Sequence, residues 1–318
     1  MTSRVADGDL ERWRYPPAQL HAAARLYYLE DATQAEVAER LGTSRATVSR
    51  MLDEARRAGI ARIEVVAPRD DEIQELSAAA ATALGLERIH LITPPPALSV
   101  GEGLGPVLSE ALAASGLRAG DILLVSSGRT VHEATLARLP LLPGVVVAPT
   151  IGGQDELEAW YAPNEITRRM AERLGGTPVF LYAPALPTAR LHDALTEDPS
   201  YRRVIELWKA ARCAIVGIGA PPLSRTSLPR FVPDDTASLR HAVGDVCSRF
   251  YDRRGQPVAF SGSERLIAVE LEALRAIPNV IGIAAGAVKL DAIRAAAGAG
   301  YITQLVTDTD TARRLLKA

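Results

Sequence analysis

Apolar positions in the first sixty residues recur at helical spacing, and each run ends at a recognisable stop. Leu20, Ala23, Ala24, Tyr27 and Tyr28 follow that period behind Pro16 and Pro17, and proline opens a helix readily at its first turn. Thr33, with Glu36 three residues on, gives the capping-box pattern for a second helix over 34–41, which Gly42 ends. Ser44 caps a third helix, in which Val48, Met51, Leu52 and Ala55 form an i, i+3, i+4, i+7 stripe. Gly59 stops that helix, and "IARIEVVAP" reads as a short strand. Residues 1–15 are polar and aperiodic, the pattern of a loose arm.

From about residue 70 the period alternates. "DEIQELSAAAATALGL" reads as a helix, and short apolar runs then predict strands at 88–92, 121–126, 145–149, 178–183, 213–218, 257–261, 280–284 and 302–306. Helical patterns fall between most of them, at 106–115, 129–138, 164–174, 199–211, 264–276, 287–297 and 309–317. Such alternation predicts a largely parallel sheet covered on both faces. The chain therefore divides into an N-terminal helical domain, 1–66, and an α/β domain, 67–318.

Composition narrows the function classes. The chain has 318 residues, 47% hydrophobic and 23% charged, with a net charge of −2, so any basic surface must be local. Cys213 and Cys247 are the only cysteines and are far apart, which argues against a disulfide framework or a zinc site and fits a reducing cytosol. No apolar run reaches membrane-spanning length and the N-terminus has no signal-peptide core, so a cytoplasmic protein without metal or cofactor is expected. Only three lysines occur, Lys209, Lys289 and Lys317, which makes an interior lysine worth locating.

The stretch "TQAEVAERLGTSRATVSRML" has the layout of a helix-turn-helix. Ala38 lets two helices approach, Gly42 supplies the tight turn, and Val48 with Met51 locks the second helix onto the first. Ser44, Arg45, Ala46, Ser49 and Arg50 then project from the start of the second helix, the surface that enters the major groove in this motif. Arg45 or Arg50 suits bidentate bonds to guanine, Ser44 or Ser49 a base edge or phosphate, and Gln34 a backbone phosphate. An αα-hairpin with a solvated polar face is the alternative, and Arg56 and Arg57 fit a solvated helix end equally well.

In the α/β domain several strand ends carry glycine or charge. "DILLV" runs into Ser126-Ser127-Gly128-Arg129-Thr130 and then a helix. There Gly128 admits a ligand to the backbone, Thr130 offers a hydroxyl and Arg129 a planar fork. "GVVVAPTIGG" ends in Gly152-Gly153, "CAIVGIGAP" carries Gly217 and Gly219, "HAVGDVCSRFYD" holds Asp245 and Arg249, and Lys289 and Asp308 stand at later helix starts. Ligands bind open α/β sheets at the carboxyl edge of the strands, so these groups converge if the sheet is parallel. Read singly, each has a plain alternative: a βα turn at Gly128, an ion pair of Arg249 with Asp245 or Asp252, a cap at Asp308, a solvated helix start at Lys289.

With "LVSSGRTV", "APTIGG", "LYAPAL", "AIVGIGAP", "AVGDVCSRFYD" and "VIGIAAGAVKLDAIRAAAGAGYITQLVTD" in this order behind the helix-turn-helix, nearly the whole chain resembles the SorC family of bacterial transcriptional regulators, also described as SorC/DeoR sugar-binding regulators. The resemblance implies a Rossmann-like α/β effector domain similar to sugar-phosphate isomerases, a phosphorylated sugar as effector, double-stranded operator DNA as partner, and a homo-oligomer, dimer or tetramer. It further implies that Gly128, Arg129 and Thr130 hold the phosphate, that Asp245 and Lys289 meet the sugar, and that Gly152, Gly153 and Gly219 shape the pocket. Ser127, Ile151, Ser248 and Ala285 depart from the family pattern, and Ile151 removes a contact expected for a sugar hydroxyl. A non-enzymatic, effector-controlled regulator is therefore the leading reading. The alternatives are a sugar-phosphate isomerase or lyase with an appended DNA-binding domain, and a constitutive DNA-binding protein with a decayed pocket.

Overall fold

The computed structural model describes residues 14–62, 71–93, 98–154, 161–225, 228–232 and 237–317. The strand expected in "IARIEVVAP" lies, from residue 63 onward, outside the described residues, as does the arm before residue 14. The chain forms two compact units, Met1–Pro68 and Arg69–Ala318.

Three helices build the first unit: α1 (Pro17–Tyr28), α2 (Gln34–Arg40) and α3 (Arg45–Arg57). Their apolar stripes meet in one small core, where Leu20, Ala23, Val37, Val48 and Ala55 are fully buried. The Thr33–Glu36 capping box forms in both directions, and Gly42 takes the left-handed conformation (φ 61°) that the short α2–α3 turn demands.

The second unit is a seven-stranded parallel sheet in the order β1 (Arg88–Ile92), β10 (Gln304–Asp308), β9 (Asn279–Ile283), β5 (Cys213–Gly217), β2 (Ile122–Val125), β3 (Val146–Pro149) and β4 (Thr177–Pro178). Alternate residues point to opposite faces, as the strand period requires. Leu123, Val125, Val147, Ile215 and Ile281 join α5 (Val100–Ala113) and α7 (Pro163–Leu174) on one face. Leu124, Ala148, Ala214, Val216 and Val280 join α4 (Asp71–Leu84), α9 (Pro199–Lys209), α11 (Leu290–Gly298) and α12 (Thr309–Leu316) on the other. From β2 the chain winds outward to β3 and β4; from β5 it winds the opposite way, to β9 and β10. The sheet thus reverses direction between β2 and β5. Among the described residues, no helix is long and apolar enough to cross a membrane.

Several elements differ from the sequence expectation, among them α8 (Ala189–Glu197), which forms behind its Thr188 cap where the sequence pattern predicts no helix. Helix α5 starts six residues before the expected 106, because Ser99 and Glu102 form a capping box ahead of the glycine-rich first turns. The helix expected over 264–276 shrinks to α10 (Leu271–Ala276), since Arg249 binds the carbonyls of Leu266, Ala268 and Val269. The strand expected at 178–183 keeps only the two residues of β4. The strand expected at 257–261 is also two residues long (β8, Pro257–Val258) and leaves the parallel sheet. It pairs antiparallel with β7 (Arg249–Tyr251), which pairs with β6 (Gly244–Val246). The β6–β7 turn places Cys247 (φ 53°) and Ser248 (φ 60°) in the left-handed region, as a two-residue hairpin turn of the primed type requires.

The helix after β2, α6 (Arg129–Ala134), packs on α5 through two glycines. A Cβ on Gly101 would stand 2.5 Å from Glu133 Cβ and 2.8 Å from the Thr130 carbonyl oxygen, and one on Gly105 would collide with Ala137 Cβ. Gly105→Ala is expected to destabilise the protein by about 1–3 kcal/mol, the usual cost of overpacking. Gly298→Ala, at an open helical position, is expected to be neutral or to stabilise by up to ~1 kcal/mol. Thermal unfolding of the two variants side by side checks both.

Candidate functional site

In the first unit, Ser44 caps α3: its hydroxyl accepts the Thr47 N–H at 3.1 Å and shares a hydrogen with Thr47 Oγ1 at 2.9 Å. That hydroxyl serves the helix cap. Arg45, Ala46 and Arg50 are exposed, while Gln34 and Ser49 are half-buried. Glu30 takes both Arg25 and Arg40 at 3.2 Å, and Asp53 takes Arg56. Among the described residues Arg45 and Arg50 are in no ion pair, which leaves two free forks on the exposed side of α3.

In the second unit, the loops after β2 and β5 part company at the reversal of the sheet, and a cavity of about 290 Å³ opens there. Crevices of this kind at the carboxyl ends of strands are where doubly wound sheets bind ligands. The cavity is lined by Ser127, Gly128, Arg129 and Thr130 after β2, by Gly219 after β5, and by Asp245 and Lys289. It thus gathers six of the eight residues expected at the effector site. Gly128 has φ 114° and ψ 153°, a conformation open essentially only to glycine, and it sets α6 on course directly behind the strand.

Asp245 is the most engaged of these groups. One carboxylate oxygen pairs with Arg225, and the other accepts the Ser248 N–H at 3.1 Å. Arg225 Nε also donates to the Ala220 carbonyl at 2.7 Å, and its guanidinium lies 5.8 Å from the centre of the Phe250 ring. A Cβ on Gly219 would collide with both Asp245 Oδ1 and the Arg225 guanidinium, so the glycine clears the space in which the pair forms. Arg225 is the site residue that sequence reading missed.

Lys289 is half-buried at the foot of α11, preceded by a single 3-10 turn. Burial lowers its pKa; Asp245 opposes that shift and Arg225 adds to it. Arg129 is exposed, its guanidinium 5.8 Å from the Tyr161 ring, and Tyr161 in turn meets His132 edge-on at 5.2 Å. Burial, then the neighbouring Arg169, hold His132 below the usual histidine pKa. The Cys247 thiol also lines the cavity, but burial pushes its pKa up to about 12, so it is no thiolate nucleophile at neutral pH.

Other expected groups have structural work. Gly152 and Gly153 do not line the cavity. A Cβ on Gly152 would stand 2.7 Å from the Ala183 carbonyl oxygen, and Gly153 exchanges backbone hydrogen bonds of 2.7 Å with Ala183 and Ala185. These glycines let two chain segments touch, and their neighbour Gln154 reaches the cavity instead, donating to Ser127 Oγ at 3.2 Å. Ile151 is buried in the core. Arg249 pairs with Glu270 rather than Asp245 or Asp252, and Asp308 caps α12 through the Thr311 N–H at 2.6 Å. Among the described residues no cluster of histidine, cysteine and carboxylate suits a metal ion.

Comparison with known proteins accounts for both units. Residues 70–317 match the putative sugar-binding domain family, and residues 24–58 match region 4 of sigma-70. The sorbitol operon regulator of Klebsiella pneumoniae is 32% identical over 312 residues, covering 92% of this chain and 96% of its own. The deoxyribonucleoside regulator of Bacillus subtilis (strain 168) is 31% identical over 301 residues, with the same coverage of 92% and 96%. The crystal structure of the full-length Klebsiella regulator SorC superposes with a TM-score of 0.69 at 31% identity, over 94% of this chain and 99% of that one. A helix-turn-helix followed by this sugar-binding domain, matched along almost its entire length, makes the chain a member of the SorC/DeoR family of transcriptional regulators.

Proposed function

We propose that this regulator binds operator DNA through Arg45, Ala46, Ser49 and Arg50, with Gln34 and the α3 cap at the phosphate backbone, and that a small phosphorylated sugar in the β2–β5 crevice sets its operator affinity. The observation that carries the effector class is the charge of the cavity: Arg129, Arg225 and Lys289 face it, with Asp245 as the one carboxylate among its described lining residues. An excess of cations over a polar crevice selects an anion. A guanidinium beside the Gly128–Thr130 backbone suits a phosphate, because planar donors and N–H groups match its oxygens.

Control follows from linkage. A ligand that favours one arrangement of a homodimer or tetramer shifts the spacing of paired recognition helices, which must match half-sites about 34–36 Å apart or a multiple of that. Such coupling is typically about 1–3 kcal/mol, roughly 5- to 150-fold in operator affinity. The sorbitol and deoxyribonucleoside regulators are consistent with a sugar-derived signal.

Incubating the protein with a panel of sugar phosphates should raise Tm without turnover, since a ligand present at 100 Kd adds about 2.7 kcal/mol. Turnover at enzyme rates would point instead to an isomerase or lyase. Arg129→Ala should lower ligand affinity by about 10- to 100-fold, the worth of a charge-assisted bond, and leave ligand-free operator binding intact. Arg50→Ala should cost about 1–3 kcal/mol of specific operator binding in a gel-shift titration and relax specificity at one base position.

Lys289 gives a prediction for the ligand-free protein. Its pKa is lower folded than unfolded, so the folded state binds that proton less well, and stability rises with pH between the folded value and the ordinary lysine value. Lys289→Met is therefore expected to raise Tm at pH 7, and the gain should shrink as pH approaches about 10.5. Thermal unfolding across that pH range checks it.

A further inference from the structure

We infer that the effector carries a second anionic group, a carboxylate, at the end of its carbon chain opposite the phosphate: a phosphorylated sugar acid rather than a neutral sugar phosphate. This rests on the reading of the crevice as a sugar-phosphate site and deepens it.

Of the three cations in the cavity, only Arg225 is already neutralised. It is bound to Asp245 and the Ala220 carbonyl and lies against the Phe250 ring. Lys289 is in no ion pair among the described residues, although its surroundings oppose its charge. It sits half-buried at the N-terminal end of α11, where the helix dipole repels a cation, and Arg225 adds a second repulsion. Among the described residues Asp245 is the counter-charge near it, and both carboxylate oxygens of Asp245 already have partners in Arg225 and the Ser248 N–H. Partly buried lysines without a counter-ion are uncommon because desolvation is costly. A ligand anion supplies what the fold withholds.

The two free cations enter the cavity from separate strands. Arg129 follows β2 and Lys289 follows β9, with β5 between them. Two strand spacings put the loop origins about 10 Å apart, and the Arg129 guanidinium lies 5.8 Å from the centre of the Tyr161 ring. The forked Arg129 and the adjoining backbone suit a phosphate, whereas Lys289 is a compact single charge. Asp245 beside it disfavours a dianion at that end and leaves room for a singly charged carboxylate. The same charges count against amino-sugar phosphates, because the one carboxylate among the described lining residues is held by Arg225.

The test compares matched pairs, an aldose phosphate and the corresponding aldonate phosphate, at four, five and six carbons, using calorimetry on the full-length protein at constant ionic strength. For at least one chain length the acid should bind about tenfold or more tighter than its aldose partner. Lys289→Met should erase that preference and Lys289→Arg should keep most of it, while glucosamine 6-phosphate should bind more weakly than glucose 6-phosphate. If the aldose phosphates bind as well as their acids at every length, or if the preference survives in Lys289→Met, this inference falls and the sugar-phosphate reading stands. If no phosphorylated compound of either kind binds, both fall.

Discussion

Everything at the candidate site depends on two neighbouring parallel strands that send the chain in opposite directions. After β2 the polypeptide moves toward β3 and the α5–α7 face; after β5 it moves toward β9 and the α9–α11 face. Parallel strands need crossovers, and crossovers of one hand that travel in opposite directions cover opposite faces of the sheet. The two loops therefore cannot close over each other, and a crevice remains between them. The tight backbone at Gly128, the cleared space at Gly219 and the charges gathered around them are refinements of a gap that the winding makes unavoidable.

Within that gap the protein holds charge in a state that does not favour its own stability. Arg225 and Asp245 satisfy one another and brace the loop after β5 against the β6–β7 hairpin. Among the described residues Lys289 and Arg129 are in no ion pair. Cys247 and Ser248 adopt left-handed backbone without being glycine, a further local cost beside the cavity. Unpaired charge and backbone strain concentrated at one crevice, beneath a sheet with a close-packed core, is the distribution expected where stability has been exchanged for recognition.

The sequence made much of this legible, and the exceptions share a cause. The first unit reads directly because local signals agree: the Thr33–Glu36 box, Gly42, the Ser44 cap and the Val48–Ala55 stripe each act within a turn or two. Gly128 and Lys289 were visible because they follow strands with a clear apolar period, and Asp245 because it forms a Gly-Asp pair four residues before Arg249. Arg225 was not visible, since it lies in the aperiodic run "PPLSRTSLP" and its place is set by a carboxylate twenty residues away. Gly152-Gly153 has the same local signature as a ligand turn, yet it exists for contact with residues 183–185, which only the folded chain reveals. The helix expected from 264 gave way to one arginine side chain binding three carbonyls, a competition that no local propensity records.

The glycine contact between α5 and α6 has an implication for how such a regulator changes its signal. Gly101 and Gly105 leave no side chain between the two helices, and Ser99 Oγ at the start of α5 donates to Glu133 on α6 at 3.0 Å. The loop after β2 is thereby seated on an element that also packs against β1 and β10 at the far end of the sheet. That half of the crevice is inherited as a block, resistant to piecemeal substitution. The opposite wall, from Gly219 to Arg225 and across the β6–β7 turn, is held mainly by side-chain bonds that can be exchanged one at a time. New ligand preferences, whether reached by descent or by design, should come from rewriting that wall while the seat beneath the β2 loop stays as it is.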